Sequence, residues 1–168
     1  RAYRDLLQYR DAEESHDKAV SLYIEAGDLR GEATARLHRA VSILESGLDG
    51  DASEDLDLAL QLAEHIQDRL LQIGVRTAQA RLHLAAGNVS EALRIADMSL
   101  AAGESLRSEI VDPVLLRYFA SNQRNDYDIA VNAAIESSEI ERAWLAADNA
   151  RAQRFSEMLN PARQTSDE

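Results

Sequence analysis

In "EATARLHRAVSILES", residues 32–46, Leu37, Ala40, Val41 and Leu44 recur at intervals of three and four and share one face of a predicted helix. Gly47 follows as a natural left-handed stop. Asp51 or Ser53 is placed to cap a second helix, "EDLDLALQLAEHI", whose apolar face carries Leu56, Ala59, Leu60 and Ala63. The same sentence of helix, turn, helix is then repeated as "GVRTAQARLHLAAGN", a Ser90 cap, and "EALRIADMSLAA". Both members of each pair are short, and the pattern predicts that they run antiparallel.

The repetition has a fixed period. At an offset of 40, residues 11–47 match residues 51–87 at 11 of 37 positions, among them Asp17/Asp57, Ala19/Ala59, Asp28/Asp68, Arg36/Arg76, Ala40/Ala80 and Gly47/Gly87. Chance at this composition gives roughly one match in ten. A third copy starts with Ala92, Asp97 and Leu100 and then fades. A period of this size is the mark of a solenoid, in which each unit buries its apolar face only against its neighbours. The expected fold is therefore all-α, an α-solenoid of antiparallel helix pairs. The whole of 1–168 forms one array with units at about 1–26, 33–66, 70–103 and 113–159, and a tail at 160–168. Within it, "LDGD" at 48–51 reads as an insertion. After Gly103 the period breaks; Asp112 and Pro113 read as the start of a helix, with one or two helices divided near "NQRND". A short turn at "SSEI" leads into "AWLAADNARAQRFSEML", residues 143–159.

These units resemble tetratricopeptide repeats of a forty-residue variety. The resemblance rests on small residues where paired helices cross: Ala40 and Ala80; Ala12, Ala52 and Ala92; Ala19, Ala59 and Ser99. It also rests on the Gly87–Asn88 turn and the link "GDLRGEATA" at 27–35. The aromatic positions of the family pattern are mostly Leu, Ala or His here. The resemblance implies a concave groove lined by the first helix of each pair, with Thr34, Leu37, His38, Val41 and Glu45 from one unit and Thr77, Ala78, Arg81 and Ala85 from the next. Members that clamp an acidic C-terminal peptide carry Lys and Asn where this chain has Leu37, Val41, Thr77 and Arg81. An extended or helical partner segment is the better expectation.

Residues 127–159 resemble, more narrowly, the last repeat of tetratricopeptide proteins that carry a caspase-like CHAT protease domain downstream. Asp148, Arg151, Phe155 and Leu159 match the family's spacing of an acidic residue, an Arg three later and an apolar helix end, with Asp where Glu is usual. The implied role is a regulatory array that controls a C-terminal effector lying after Glu168. The start at Arg1 rather than Met is consistent with an excised fragment. Trp144, Phe155 and Met158 form a heavy apolar edge expected to dock a following domain or to cover itself in a homodimer.

Composition narrows the possibilities further. There are 28 Ala and 22 Leu against two Phe and one Trp, a content suited to closely approaching helices. A net charge of −12 argues against direct nucleic-acid binding, which needs a clustered positive surface. It also disfavours association with anionic membranes. With no cysteine, thiolate metal sites and Cys nucleophiles are excluded, and no run of 18 apolar residues suggests a membrane span. A cytoplasmic setting is the default.

Little points to catalysis. His16, His38, His65 and His83 form no i,i+4 pair with an acidic third ligand, so no metal site is expected. His16 and His83 fall on half-buried repeat positions. Asp55/Asp57 and Glu139/Glu141 are two apart, do not share a helix face, and read as solvated surface. No phosphate loop or nucleophile elbow is present. No catalytic residue and no cofactor are expected. Two functional classes stay open: a protein-interaction scaffold controlling a fused effector, and a peptide- or ligand-sensing module of a transcriptional regulator whose DNA contacts lie elsewhere.

Overall fold

A computed structural model describes residues 2–46, 52–109, 127–136 and 138–159, with side chains described from Glu14 onward, except at 140 and 153–159. Every described element is an α-helix: α1 (Ala2–Ala26), α2 (Leu29–Ser46), α3 (Ser53–His65), α4 (Arg69–Ala85), α5 (Val89–Glu109), α6 (helical over 127–136) and α7 (Ile140–Leu159). The chain divides into two compact units, Arg1–Leu82 and His83–Glu168, with the boundary inside α4.

Four of the turns use one device. Gly27, Gln67, Gly87 and Ser138 sit at positive φ, between 56° and 75°. In each case the next residue's N–H reaches a carbonyl five residues back: Asp28 to Tyr23 at 3.0 Å, Asp68 to Ala63 at 2.9 Å, Asn88 to His83 at 2.8 Å and Glu139 to Ala134 at 2.8 Å. This is the Schellman ending, which satisfies the orphan carbonyls of the preceding helix. The same next residue then opens the following helix, its own carbonyl accepting from Glu32, Gln72, Ala92 or Ala143. Asp28 and Asp68 add a side-chain cap, accepting from the N–H groups of Gly31 (2.9 Å) and Leu71 (3.0 Å).

These caps move three boundaries from where the sequence pattern put them. α4 opens at Arg69, a turn before "GVRTAQ", because Asp68 holds its first N–H groups. Ser90 lies inside α5, since the left-handed residue at Gly87 sets the phase and makes Asn88 the starting residue. α3 opens behind Ala52, with no side-chain cap, and Ser53 is already helical; Asp51 lies outside the described residues.

The core of the first unit is built mainly of small residues. Ala33 and Ala40 of α2, Ala52, Leu56 and Ala59 at α3, and Val75 and Ala78 of α4 are buried together, with Leu37, Val41, Leu44, Leu60, Leu71 and Leu82 packed around them. Full burial of a side chain the size of Leu56 contributes about 2 kcal/mol, and the alanines contribute by letting backbones approach. In the second unit, Leu93 of α5, Ala133 and Ala134 of α6 and Ala143 of α7 form the buried cluster. Arg142 ties α7 to Asp97 of α5 and also binds Glu139 at 3.1 Å.

The forty-residue period is visible in burial. The pairs Ala33/Ile73, Ala35/Val75 and Ala40/Ala80 are all buried, as are Ala52/Ala92, Asp55/Ile95, Leu56/Ala96, Ala59/Ser99 and Ala63/Gly103. The "LDGD" stretch at 48–51 lies outside the described residues. α3 starts at Ser53, the counterpart of Leu93, about one turn later than α5 starts at Val89. An inter-helix bond repeats with the same period: Arg39 Nη1 donates to Asp17 at 2.6 Å, and Gln79 Nε2 donates to Asp57 at 3.0 Å. Asp112, Pro113 and the "NQRND" stretch lie outside the described residues.

Candidate functional site

Two surfaces hold the residues that sequence reasoning singled out. The first lies between α2 and α4. Glu45 of α2 and Arg81 of α4 form an ion pair at 3.7 Å. Lower on the same helices, a side-chain Cδ of Leu37 lies 3.5 Å from where a Cβ on Gly74 would stand, an ordinary contact distance, so Leu37 of α2 packs over Gly74 of α4. Leu37 and Val41 are half-buried and pack on the core. Thr77 is buried, and its hydroxyl donates to the Ile73 carbonyl at 2.9 Å; Thr34 does the same to Arg30 at 2.8 Å. Threonines that bond the preceding turn present little polarity to a ligand. What the structure brings together between α2 and α4 is therefore the Glu45–Arg81 pair beside half-buried Leu37, whereas His38 stands on the side of α2 that faces α1.

His38 is exposed and meets His16 of α1, ring centroids 6.3 Å apart and tilted by 59°. His16 has its pKa lowered from 6.5, first by burial, then by His38 and Arg39, with Asp17 opposing. No group of three or more potential metal ligands exists among the described residues.

Beside this surface runs a chain of charges that the sequence did not disclose. Asp55 is only 4% exposed, not solvated as its spacing from Asp57 suggested. Arg39 grips both its oxygens, and Arg36 donates to it at 3.1 Å. Arg36 also binds Glu32 at 2.8 Å, and Arg39 reaches Asp17, so five charged residues link α1, α2 and α3. Asp55 above all, and then Asp17, hold the Arg39 guanidinium well above its ordinary pKa against the effect of desolvation. A carboxylate standing at the position of Ile95 one period later was the available signal. The pairing is structural: both acidic oxygens are occupied, leaving no open face for acid–base work.

The second surface lies between α6 and α7. Val131 and Ile135 of α6, Ser138 of the turn, and Ala143, Trp144, Ala147 and Arg151 of α7 line an open groove of about 460 Å³. Trp144 is 63% exposed, and Ile135 and Leu145 are similarly open. Arg151 and Asp148, both on the surface, stand 3.8 Å apart. The side chains of Phe155 and Met158, expected on this edge, lie outside the described residues, while the backbone of α7 extends through both. Glu139 is exposed and engaged by Arg142 rather than paired with Glu141 for chemistry.

No family model matches the chain, and comparisons with curated proteins and with solved structures likewise find no match. Among the described residues, no helix is long and apolar enough to cross a membrane.

Proposed function

We propose that the chain is an α-solenoid of antiparallel helix pairs of the tetratricopeptide kind, acting as a scaffold for protein–protein interaction rather than as an enzyme. The observation that carries this reading is the forty-residue register. It holds in sequence identity, in burial at eight pairs of positions, and in the repeated bonds Arg39–Asp17 and Gln79–Asp57. A unit that recurs with its contacts is one that buries its face against the next, and stacked units present extended surfaces suited to peptide or helical segments. The side-chain inventory supports binding rather than catalysis: among the described residues the one deeply buried carboxylate, Asp55, is engaged by arginines on both oxygens.

The partner in this reading is a protein or peptide held along α2 and α4, without nucleic acid, membrane or cofactor, in a cytoplasmic setting. The Asp148–Arg151 pair on α7, together with the CHAT-like spacing of residues 148–159, supports an array that regulates a caspase-like effector.

Selection of displayed peptides against the whole chain tests the reading. Peptides enriched on the α2–α4 surface should lose most of their affinity for the Arg81→Glu and Glu45→Arg variants, measured by fluorescence anisotropy. Peptides indifferent to both substitutions, or no enrichment at all, would remove α2–α4 as the interaction surface.

A further inference from the structure

His16 of α1 and His38 of α2 occupy the positions that Leu56 of α3 and Ala78 of α4 occupy one period later. The equivalence is one of space as well as sequence, since at the very next residues Arg39 bonds Asp17 as Gln79 bonds Asp57. In the second copy this seam is closed with hydrocarbon: Leu56 and Ala78 are both buried in the core cluster. In the first copy it holds two imidazoles, His16 half-buried and His38 exposed, with ring centroids 6.3 Å apart. The exchange replaces Leu and Ala with two nitrogen ligands, brought together from different helices and separated by 22 residues in the chain.

We propose that His16 and His38 form a two-imidazole site for a late first-row divalent ion, Zn²⁺, Ni²⁺ or Cu²⁺, that clips α1 to α2. An imidazole nitrogen stands about 2.0–2.1 Å from such an ion, so two rings sharing one have centroids about 4.5–6.5 Å apart, from a right angle to a straight line. The observed spacing lies at the outer end of that range, and the exposed His38 ring has room to turn inward and narrow the angle. The helices themselves need not move, because the 2.6 Å Arg39–Asp17 bond pins them one residue further on. Nearby charges do not repel a cation: Arg36 and Arg39 are outnumbered by Glu32, Asp17 and Asp55, to which they are bound. Burial, then His38 and Arg39, hold the His16 pKa below 6.5 against Asp17, so at pH 7 its ring is a neutral ligand. Imidazole nitrogen selects these ions over Mg²⁺ and Ca²⁺, which take oxygen. No third protein ligand joins the pair among the described residues, so the remaining positions fall to water. An ion held by both helices binds the folded chain and not the unfolded one, and stabilises it accordingly.

Calorimetric titration of the full chain with Zn²⁺, in excess Mg²⁺ to occupy surface carboxylates, should show one site per chain. His16→Gln and His38→Gln should each weaken it about tenfold or more, the loss of one ligand of two. His65→Gln, at the end of α3, should leave it unchanged. Zn²⁺ should also raise the melting temperature of the wild type and of His65→Gln, but not of the other two. If a histidine variant does not fold by circular dichroism, the wild type decides: substoichiometric Cu²⁺ should broaden the ring proton signals of His16 and His38 together, ahead of those of His65 and His83. Binding indifferent to both substitutions, or lost with only one of them, would overturn the proposal, as would Cu²⁺ broadening that spares either ring. Loss of all Zn²⁺ binding in Mg²⁺ would overturn it too and give the ion to the carboxylates.

Discussion

The Arg39 guanidinium closes a fork on Asp55, Nε to Oδ2 and Nη2 to Oδ1 each at 2.5 Å, while its remaining nitrogen reaches Asp17 at 2.6 Å. Bidentate pairing in a largely dry site is strong, yet its net worth is set by the desolvation of the charges it brings in. Cutting one partner is costly because the other is left uncompensated. Asp55→Ala should therefore destabilise the chain by about 2–4 kcal/mol, somewhat below the cost for a fully buried pair because Arg39 keeps contact with water. The next period carries Ile95 and Gln79 at these positions. The double substitution Asp55→Ile with Arg39→Gln should accordingly recover most of the loss, measured by urea unfolding. A double variant no more stable than Asp55→Ala would show that the network is not an exchangeable packing solution.

Tyr23 and Gly31 form a second exchangeable pair. A Cβ on Gly31 would overlap the Tyr23 ring and lie 2.7 Å from Asp28 Oδ2, the other oxygen of the carboxylate whose Oδ1 caps α2. One period later the sizes are reversed, Ala63 facing Leu71. Gly31→Leu alone should cost about 1–3 kcal/mol through overpacking, and Tyr23→Ala together with Gly31→Leu should cost much less. A double-mutant cycle reads the coupling; additive losses would mean that the two positions do not share space.

How much of this was legible in the sequence follows from what each feature depends on. Helix faces such as Leu56, Ala59 and Ala63 were legible because periodicity alone decides them. The helix starts were less so. Asn88 and Ser90 are both good capping residues, and only the backbone turn at Gly87 decides between them. Asp55 was misplaced because spacing within one helix says nothing of arginines arriving from another. Thr77 was placed on a groove surface that the fold buries, since a hydroxyl can satisfy itself on its own helix. At Trp144 both pattern and structure leave a large apolar residue exposed.

Gln67 performs the turn that Gly27 and Gly87 perform, at φ 56° and without their freedom. A side chain in the left-handed region costs about 1–2 kcal/mol, part of which glycine returns as lost chain entropy. Gln67→Gly should thus stabilise the protein by about 0.5–1 kcal/mol. The reverse test is clean at Gly27, where an added Cβ meets nothing within 4 Å, so Gly27→Ala should cost about 1 kcal/mol from backbone strain alone. Thermal unfolding of both variants checks the signs; a destabilised Gln67→Gly would mean that the Gln67 side chain makes a contact worth more than the strain.

His16 supplies a pH dependence whose direction is fixed by its surroundings. Its folded pKa lies below the 6.5 of the unfolded chain because burial, His38 and Arg39 all oppose its charge, and Asp17 only partly offsets them. The unfolded chain then binds the proton more readily. The contribution of neutral His16 to stability is fully present above pH 6.5 and is lost as the pH falls through the folded value. His16→Gln removes the titration while keeping a polar side chain at the α1–α2 contact. Melting temperature followed from pH 8 to pH 5 should fall more steeply for the wild type than for His16→Gln below about pH 6.5. The two curves should run parallel above it. Parallel curves throughout would mean that His38 and Arg39 swing away as His16 takes up its proton.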